Sequence, residues 1–161
     1  MEHQALHDPL TSLANRAFAI EQLQAALARS ARHATRVAVL FIDLDQFKQI
    51  NDRYGHLVGD HILRIVAHRI RHAVRVEDVV ARFGGDEFLV VCGDVHSIDE
   101  ADEVARRFAY MIARPFDLPA GVEQVVHASI GLRVSGPGDA AQRDAFDLGC
   151  VRSLGELRHQ A

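Results

Sequence analysis

The sequence predicts one α/β domain, and three observations carry that reading. A short unbroken apolar run from Val37 to Ile42 has the length and β-branched content of a strand buried on both faces. Longer stretches on either side of it repeat their apolar residues at helical spacing, and Gly84-Gly85 separates two apolar segments as a hairpin turn would. At 161 residues, 48% of them hydrophobic, the chain has the size of a single domain and enough apolar surface for a real core.

From Arg16 to about His33, Phe18, Leu23, Ala26 and Leu27 recur at roughly helical spacing, which gives an amphipathic opening helix. The run Val37–Ile42 follows as a central strand and ends abruptly in Asp43-Leu44-Asp45. Between Leu57 and Val76, Ile62, Val66, Ile70 and Ala73 fall on one stripe with Arg64, Arg69 and Arg71 largely away from it, so a long helix crosses the sheet. Val79–Phe83 and Glu87–Cys92 form a hairpin in which the two glycines are expected to supply positive φ. Ser97 and Glu100 have capping-box spacing and open a helix bearing Ala101, Val104, Phe108 and Ile112 that runs until Pro115. One further strand is expected from Glu123 to Val134, after which Gly136-Pro137-Gly138 breaks the pattern.

Composition narrows the function. The formal net charge is −4 and the basic residues are scattered, which argues against a duplex-binding surface and leaves a small phosphorylated ligand open. Of the 18 basic residues only Lys48 is a lysine. No apolar run reaches the ~20 residues of a membrane span, and Met1-Glu2-His3-Gln4 lacks signal-peptide character, so a cytoplasmic location is expected. Cys92 and Cys150 follow no metal-ligand spacing, and Cys92 lies in an apolar run where a buried free thiol is expected; no disulfide is inferred. The ten histidines form no ligand pattern.

Asp43 and Asp45 end a buried strand while Asp86 and Glu87 follow a hairpin, so if the strands are neighbours, four carboxylates converge at one edge. Such crowding calls for a cation, and an all-oxygen donor set suits Mg²⁺ better than zinc. A single acidic residue at a strand end is ordinarily a solvated turn residue; two acidic pairs beside apolar strands weaken that reading. Glycine at 84 and 85 is explained either by turn chemistry or by close approach of backbone amides to phosphate.

Four segments then carry a resemblance. Arg82-Phe83-Gly84-Gly85-Asp86-Glu87-Phe88 contains an unsubstituted GGDEF sequence, and His7-Asp8-Pro9-Leu10-Thr11-Ser12-Leu13-Ala14-Asn15-Arg16 is similar to the opening segment of the GGDEF family. Asp43-Leu44-Asp45-Gln46-Phe47-Lys48-Gln49-Ile50-Asn51-Asp52 and Tyr54-Gly55-His56-Leu57-Val58-Gly59-Asp60 resemble its metal-binding and base-recognition segments, in order and at the family's spacing. The resemblance covers roughly residues 7 to 134, taken with the N-terminus as a GGDEF domain over 1–134 followed by a divergent tail of that domain over 135–161. It implies a mixed, largely antiparallel central sheet flanked by helices, related to the palm of nucleotide cyclases and polymerases.

The resemblance also implies roles. Asp43 and Asp86 would ligate Mg²⁺ or Mn²⁺ through their side chains and Leu44 through its carbonyl, with Asp86 and Glu87 as the catalytic pair. Phe47, Lys48, Asn51, Asp60, Gly84 and Gly85 would bind GTP. Asn51 and Asp60 would read guanine, whose N1–H and amino group suit a carboxylate acceptor where adenine offers a lone pair at N1. Arg75 and Asp78 have the Arg-x-x-Asp pattern at the distance before Gly84 where the family's product, cyclic di-GMP, binds and inhibits; a guanidinium fork suits phosphate or a guanine edge. Catalysis would need a homodimer of two GTP-loaded domains.

The family's closing pattern, Asp-x-Ala-Leu-Tyr-x-Ala-Lys followed by Gly-Arg-Asn, does not occur in residues 135–161, where Arg143, Arg152 and Arg158 are the cations that could replace its phosphate contacts. Three readings follow. The first is a Mg²⁺-dependent diguanylate cyclase that condenses two GTP into cyclic di-GMP with loss of pyrophosphate and is inhibited by product. The second is a catalytically impaired module that binds GTP or cyclic di-GMP as a sensor or regulatory domain. The third is a cyclase acting on one nucleotide.

Overall fold

The computed structural model describes residues 6–118 and 121–136. The elements are α1 (Arg16–His33), β1 (Arg36–Leu44), α2 (Phe47–Tyr54), α3 (His56–Ala73), β2 (Val79–Arg82), β3 (Glu87–Val95), α4 (Ile98–Ile112), β4 (Phe116–Leu118), β5 (Val122–Gln124) and β6 (Ala128–Val134). Four strands form one sheet in the order β2-β3-β1-β6, antiparallel at every pairing. The fold is therefore α+β with an antiparallel central sheet flanked by helices, in agreement with the expected class.

Strand β1 is apolar on both faces because the sheet is covered on both. Ala38, Leu40, Ile42 and Leu44 join the core that contains Ile62, Val66 and Ile70 of α3 and Phe108 of α4. Their alternate neighbours Val37, Val39 and Phe41 join the core with Ala19, Leu23 and Ala26 of α1. A two-residue period thus assigns successive side chains to opposite layers. Helix α1 opens with Asn15, whose side chain accepts from Phe18 N–H at 3.0 Å. At α4, Ser97 Oγ accepts from Glu100 N–H at 3.1 Å, while the Glu100 carboxylate reaches back to His96 N–H at 2.9 Å, one residue beyond the usual capping-box partner. The far end of α4 is closed by Arg69, which donates to the carbonyls of Met111, Ile112, Arg114 and Pro115 and stacks 4.0 Å over Phe116.

Several expected elements are redrawn. The helix read as Leu57–Val76 runs from His56 to Ala73, with Val74 already extended. Before it lies α2, absent from the sequence reading: Phe47 and Ile50 bury its inner face, Gln46 precedes it at φ 57 without a side-chain cap, and Gly55 at φ 88 separates it from α3. The strand expected over Glu123–Val134 is two, because β5 pairs with β4 in a separate two-stranded sheet and only β6 joins the main one. Val126, 2% exposed, turns into the main core between them. The hairpin forms as expected, yet neither Gly84 nor Gly85 has positive φ. Cys92 is a buried free thiol pushed up to about 12, by burial first and then by Asp78. Cys150, Arg143, Arg152, Arg158 and the divergent tail beyond residue 136 lie outside the described residues.

Candidate functional site

The register of the sheet brings the carboxylates together. Asp43 on β1 lies opposite Glu87 on β3 and opposite Ser129 on β6. Just beyond it, Leu44 N–H donates to the Asp86 carbonyl at 3.2 Å, and Asp45 N–H donates to the His127 carbonyl at 2.8 Å. A pocket of about 350 Å³ results, lined by Asp43, Leu44, Asp45, Phe47, Lys48, Asp86 and Glu87 among others. The four carboxylates expected to converge all line it.

Their proximity has an electrostatic signature. Asp43 is pushed up to about 6 by burial first, then by Asp86, Glu87 and Asp45. Ser129 Oγ donates to Asp45 Oδ1 at 2.7 Å and holds that side chain toward β6. Among the described residues Lys48 is the sole cation lining the pocket, carried there by the first turn of α2. Among the described residues no group of three or more His, Cys, Asp and Glu side chains is arranged to hold a metal. Asp43, Leu44 and Asp86 nonetheless line one pocket, where carboxylate and carbonyl oxygens are the donors on offer. That donor set fits a hard divalent cation that shares its remaining positions with phosphate oxygens and water.

The turn is closed by its backbone. Phe83 and Gly84 N–H both donate to the Glu87 carbonyl, at 2.8 and 3.3 Å, which folds the chain back on itself. A Cβ on Gly84 would collide with the Glu87 carboxylate, whereas one on Gly85 would meet nothing within 4 Å. The obstacle at 84 is the far end of a flexible side chain, which a small shift of Glu87 would relieve. Arg82 braces the turn from outside: its guanidinium donates to the Gly85 carbonyl at 2.8 and 3.2 Å and to Asp8 Oδ1 at 3.2 Å. Neither Arg82 nor Ser129 was singled out from the sequence; the position of Arg82 beside the glycines was the one available signal.

Asn51, Asp60, Gly84 and Gly85 do not line the acidic pocket. Asn51 is turned toward α3, where its Oδ1 is buried without a hydrogen-bond partner among the described residues, against the backbone of Gly59 that precedes Asp60. Arg75 and Asp78 share a turn in which Arg75 N–H donates to Asp78 Oδ2 at 2.9 Å. The Arg75 side chain reaches Glu100 at 3.3 Å, and Asp78 is 7% exposed, its carboxyl raised by burial.

Fold and site together define an α+β domain with an acidic pocket of about 350 Å³ at one end of its central strands. The chain belongs to the GGDEF family: residues 5–146 match the family model described as diguanylate cyclase, GGDEF domain. Diguanylate cyclase TpbB of Pseudomonas aeruginosa is 44% identical over 132 residues, covering 82% of this chain and 30% of that protein. Cyclic di-GMP phosphodiesterase NbdA of the same species is 39% identical over 161 residues, covering 100% of this chain and 20% of that protein. The chain thus spans less than a third of these relatives. The solved GGDEF domain of TpbB superposes with a TM-score of 0.79 at 37% identity, covering 91% of this chain and 88% of that one. Among the described residues no helix is long and apolar enough to cross a membrane.

Proposed function

We propose that this chain is a diguanylate cyclase, a nucleotidyltransferase that joins two GTP into cyclic di-GMP and releases pyrophosphate in the cytoplasm. The observation that carries the reading is the convergence of Asp43, Asp86 and Glu87 beside Lys48 in one pocket. When bound by the carboxylates of Asp43 and Asp86 and the Leu44 carbonyl, Mg²⁺ or Mn²⁺ would offset triphosphate charge and polarise the phosphate under attack. Lys48 adds a positive charge to the phosphates, and Phe47 forms the apolar wall beside them. Gly84 and Gly85 let the turn backbone approach the triphosphate. Glu87 would help to deprotonate the attacking 3′-hydroxyl. Asn51 and Asp60 read the guanine edge, and Arg75 with Asp78 binds the product that inhibits. Each domain of a homodimer contributes one GTP, so that each 3′-hydroxyl faces the partner's α-phosphate.

The test is incubation with Mg²⁺ and either GTP or ATP, with products resolved by chromatography, alongside Asp86→Ala. Cyclic di-GMP from GTP alone is expected, lost in the variant at an unchanged melting temperature. Turnover that survives Asp86→Ala overturns the site assignment. The match to NbdA, named as a phosphodiesterase, supports a second reading, in which the module binds GTP or cyclic di-GMP and regulates without turnover. Nucleotide binding with no product in the same assay selects it.

A further inference from the structure

A second and larger cavity, about 600 Å³, lies between the segment before α1, the outer face of α3 and the start of β2. Its floor is apolar: Leu13, Ala14, Ala67 and Val80 are each no more than 7% exposed. One wall is aromatic, where His7 and Phe18 set their rings 6.1 Å apart at 39°. The opposite rim is basic. Arg64, His68, Arg71 and His72 all line the cavity from α3, spaced so that they share one helix face, with the two arginines about 10 Å apart along the axis.

We propose that this cavity binds a small aryl phosphate: an aromatic body on the apolar floor and a phosphate on the α3 rim. Charge selects the anion. Neither Arg64 nor Arg71 belongs to an ion pair among the described residues, in a protein of net charge −4. Arg71 spends one N–H on the Asp78 carbonyl at 3.2 Å, which orients the guanidinium and leaves its other donors for a ligand. His72 Nδ1–H donates to the His68 carbonyl at 2.9 Å, so its Nε2 is the ring nitrogen that remains. The single acid of the lining among the described residues, Asp78, is 7% exposed and accepts from Arg75 N–H through Oδ2, which keeps it back from the rim. Shape selects the body, because inorganic phosphate would leave the floor and the His7–Phe18 wall uncovered. The site is separate from the acidic pocket, with which it shares no lining residue. Arg75 does not line it either; its side chain turns to Glu100 on α4.

The experiment titrates the chain with 1-naphthyl phosphate, inorganic phosphate and 1-naphthol, followed by calorimetry and by imidazole NMR signals. Naphthyl phosphate is expected to bind at least tenfold more tightly than either fragment and to shift His68 and His72. Arg64→Gln and the double variant Arg64→Gln/Arg71→Gln should each weaken it at least threefold, while Asp86→Ala leaves it unchanged. Arg64 is exposed, so its replacement leaves the fold intact and the reading interpretable. Equal binding of inorganic phosphate means an adventitious ion only and overturns the proposal, as does equal binding of naphthol. Loss of binding in Asp86→Ala also overturns it, by placing the ligand in the acidic pocket.

Discussion

Arg82 and Asp8 meet at 3.2 Å across 74 residues of sequence, and this pair ties the segment before α1 to the glycine turn of the acidic pocket. Both side chains are mostly buried, at 18% and 16% exposure, and Asp8 also accepts from the Thr11 N–H and hydroxyl. Arg82→Ala should therefore lower stability by about 1 to 3 kcal/mol, since it leaves a carboxylate short of a partner. It should also reduce GTP turnover, because the Gly85 carbonyl loses its brace. Chemical denaturation and initial rates check both; a variant as stable and as active as the parent removes the pair from any role in shaping the turn.

Asp43 makes the metal-free protein sensitive to pH. Its carboxyl is raised to about 6, against an unfolded value near 3.9, so between those values the folded chain holds a proton that the unfolded chain has released. Stability from this group consequently falls as pH rises from about 4 to about 6 and stays reduced above. Asp43→Asn removes the half-buried charge together with its repulsion from Asp86, Glu87 and Asp45, and in EDTA it should be more stable than the parent at pH 7 to 8. The advantage should vanish toward pH 4. Urea unfolding across this range is the check, and a gain of equal size at pH 4 would point away from charge repulsion.

Gly59 is buried against Asn51, and a Cβ there would fall on the Asn51 amide with the Phe47 ring 3.1 Å away. Gly59→Ala should cost about 1 to 3 kcal/mol through overpacking and raise the KM for GTP by displacing Asn51. Adding Asn51→Ala should restore the melting temperature without restoring the KM. Recovery of both would show that Asn51 takes no part in reading the base.

Arg75 is more than half exposed, and its pair with Glu100 belongs to the class worth at most about 1 kcal/mol. Arg75→Ala should leave the melting temperature within a few degrees of the parent while weakening cyclic di-GMP binding and relieving product inhibition. Calorimetry with the dinucleotide decides; unchanged affinity makes Arg75 a solvated turn residue.

The parts legible in the sequence are those fixed by period and by short-range chemistry. The unbroken apolar run Val37 to Ile42 marked β1 as a strand buried on both faces, and the acidic ends of β1 and β3 placed Asp43 beside Glu87 once antiparallel pairing was granted. Helix α2 escaped because Gln46 starts it in a left-handed conformation with no capping side chain, leaving no start signal before Phe47. The division of 123–134 escaped because Val126 is buried by tertiary contacts that an apolar run does not reveal. The same limit applies to polar residues. Asp78 was expected as a product contact on the resemblance alone, and its 7% exposure is a matter of tertiary packing that no local pattern reveals. Arg82 with Asp8, and Ser129 with Asp45, are long-range pairs that no local window contains.

The central place of β1 also governs how the domain comes into being. During synthesis β1 emerges before both of the strands that flank it, β3 and β6, so its backbone donors and acceptors wait for partners made later. Closing those distant pairings costs chain entropy before it returns contacts, which slows folding relative to a helical bundle of similar size. Asp43, Glu87 and Ser129 become neighbours only when both closures are complete. A nascent chain therefore carries no assembled pocket until its last described strand has been made, and nucleotide capture reports a finished domain.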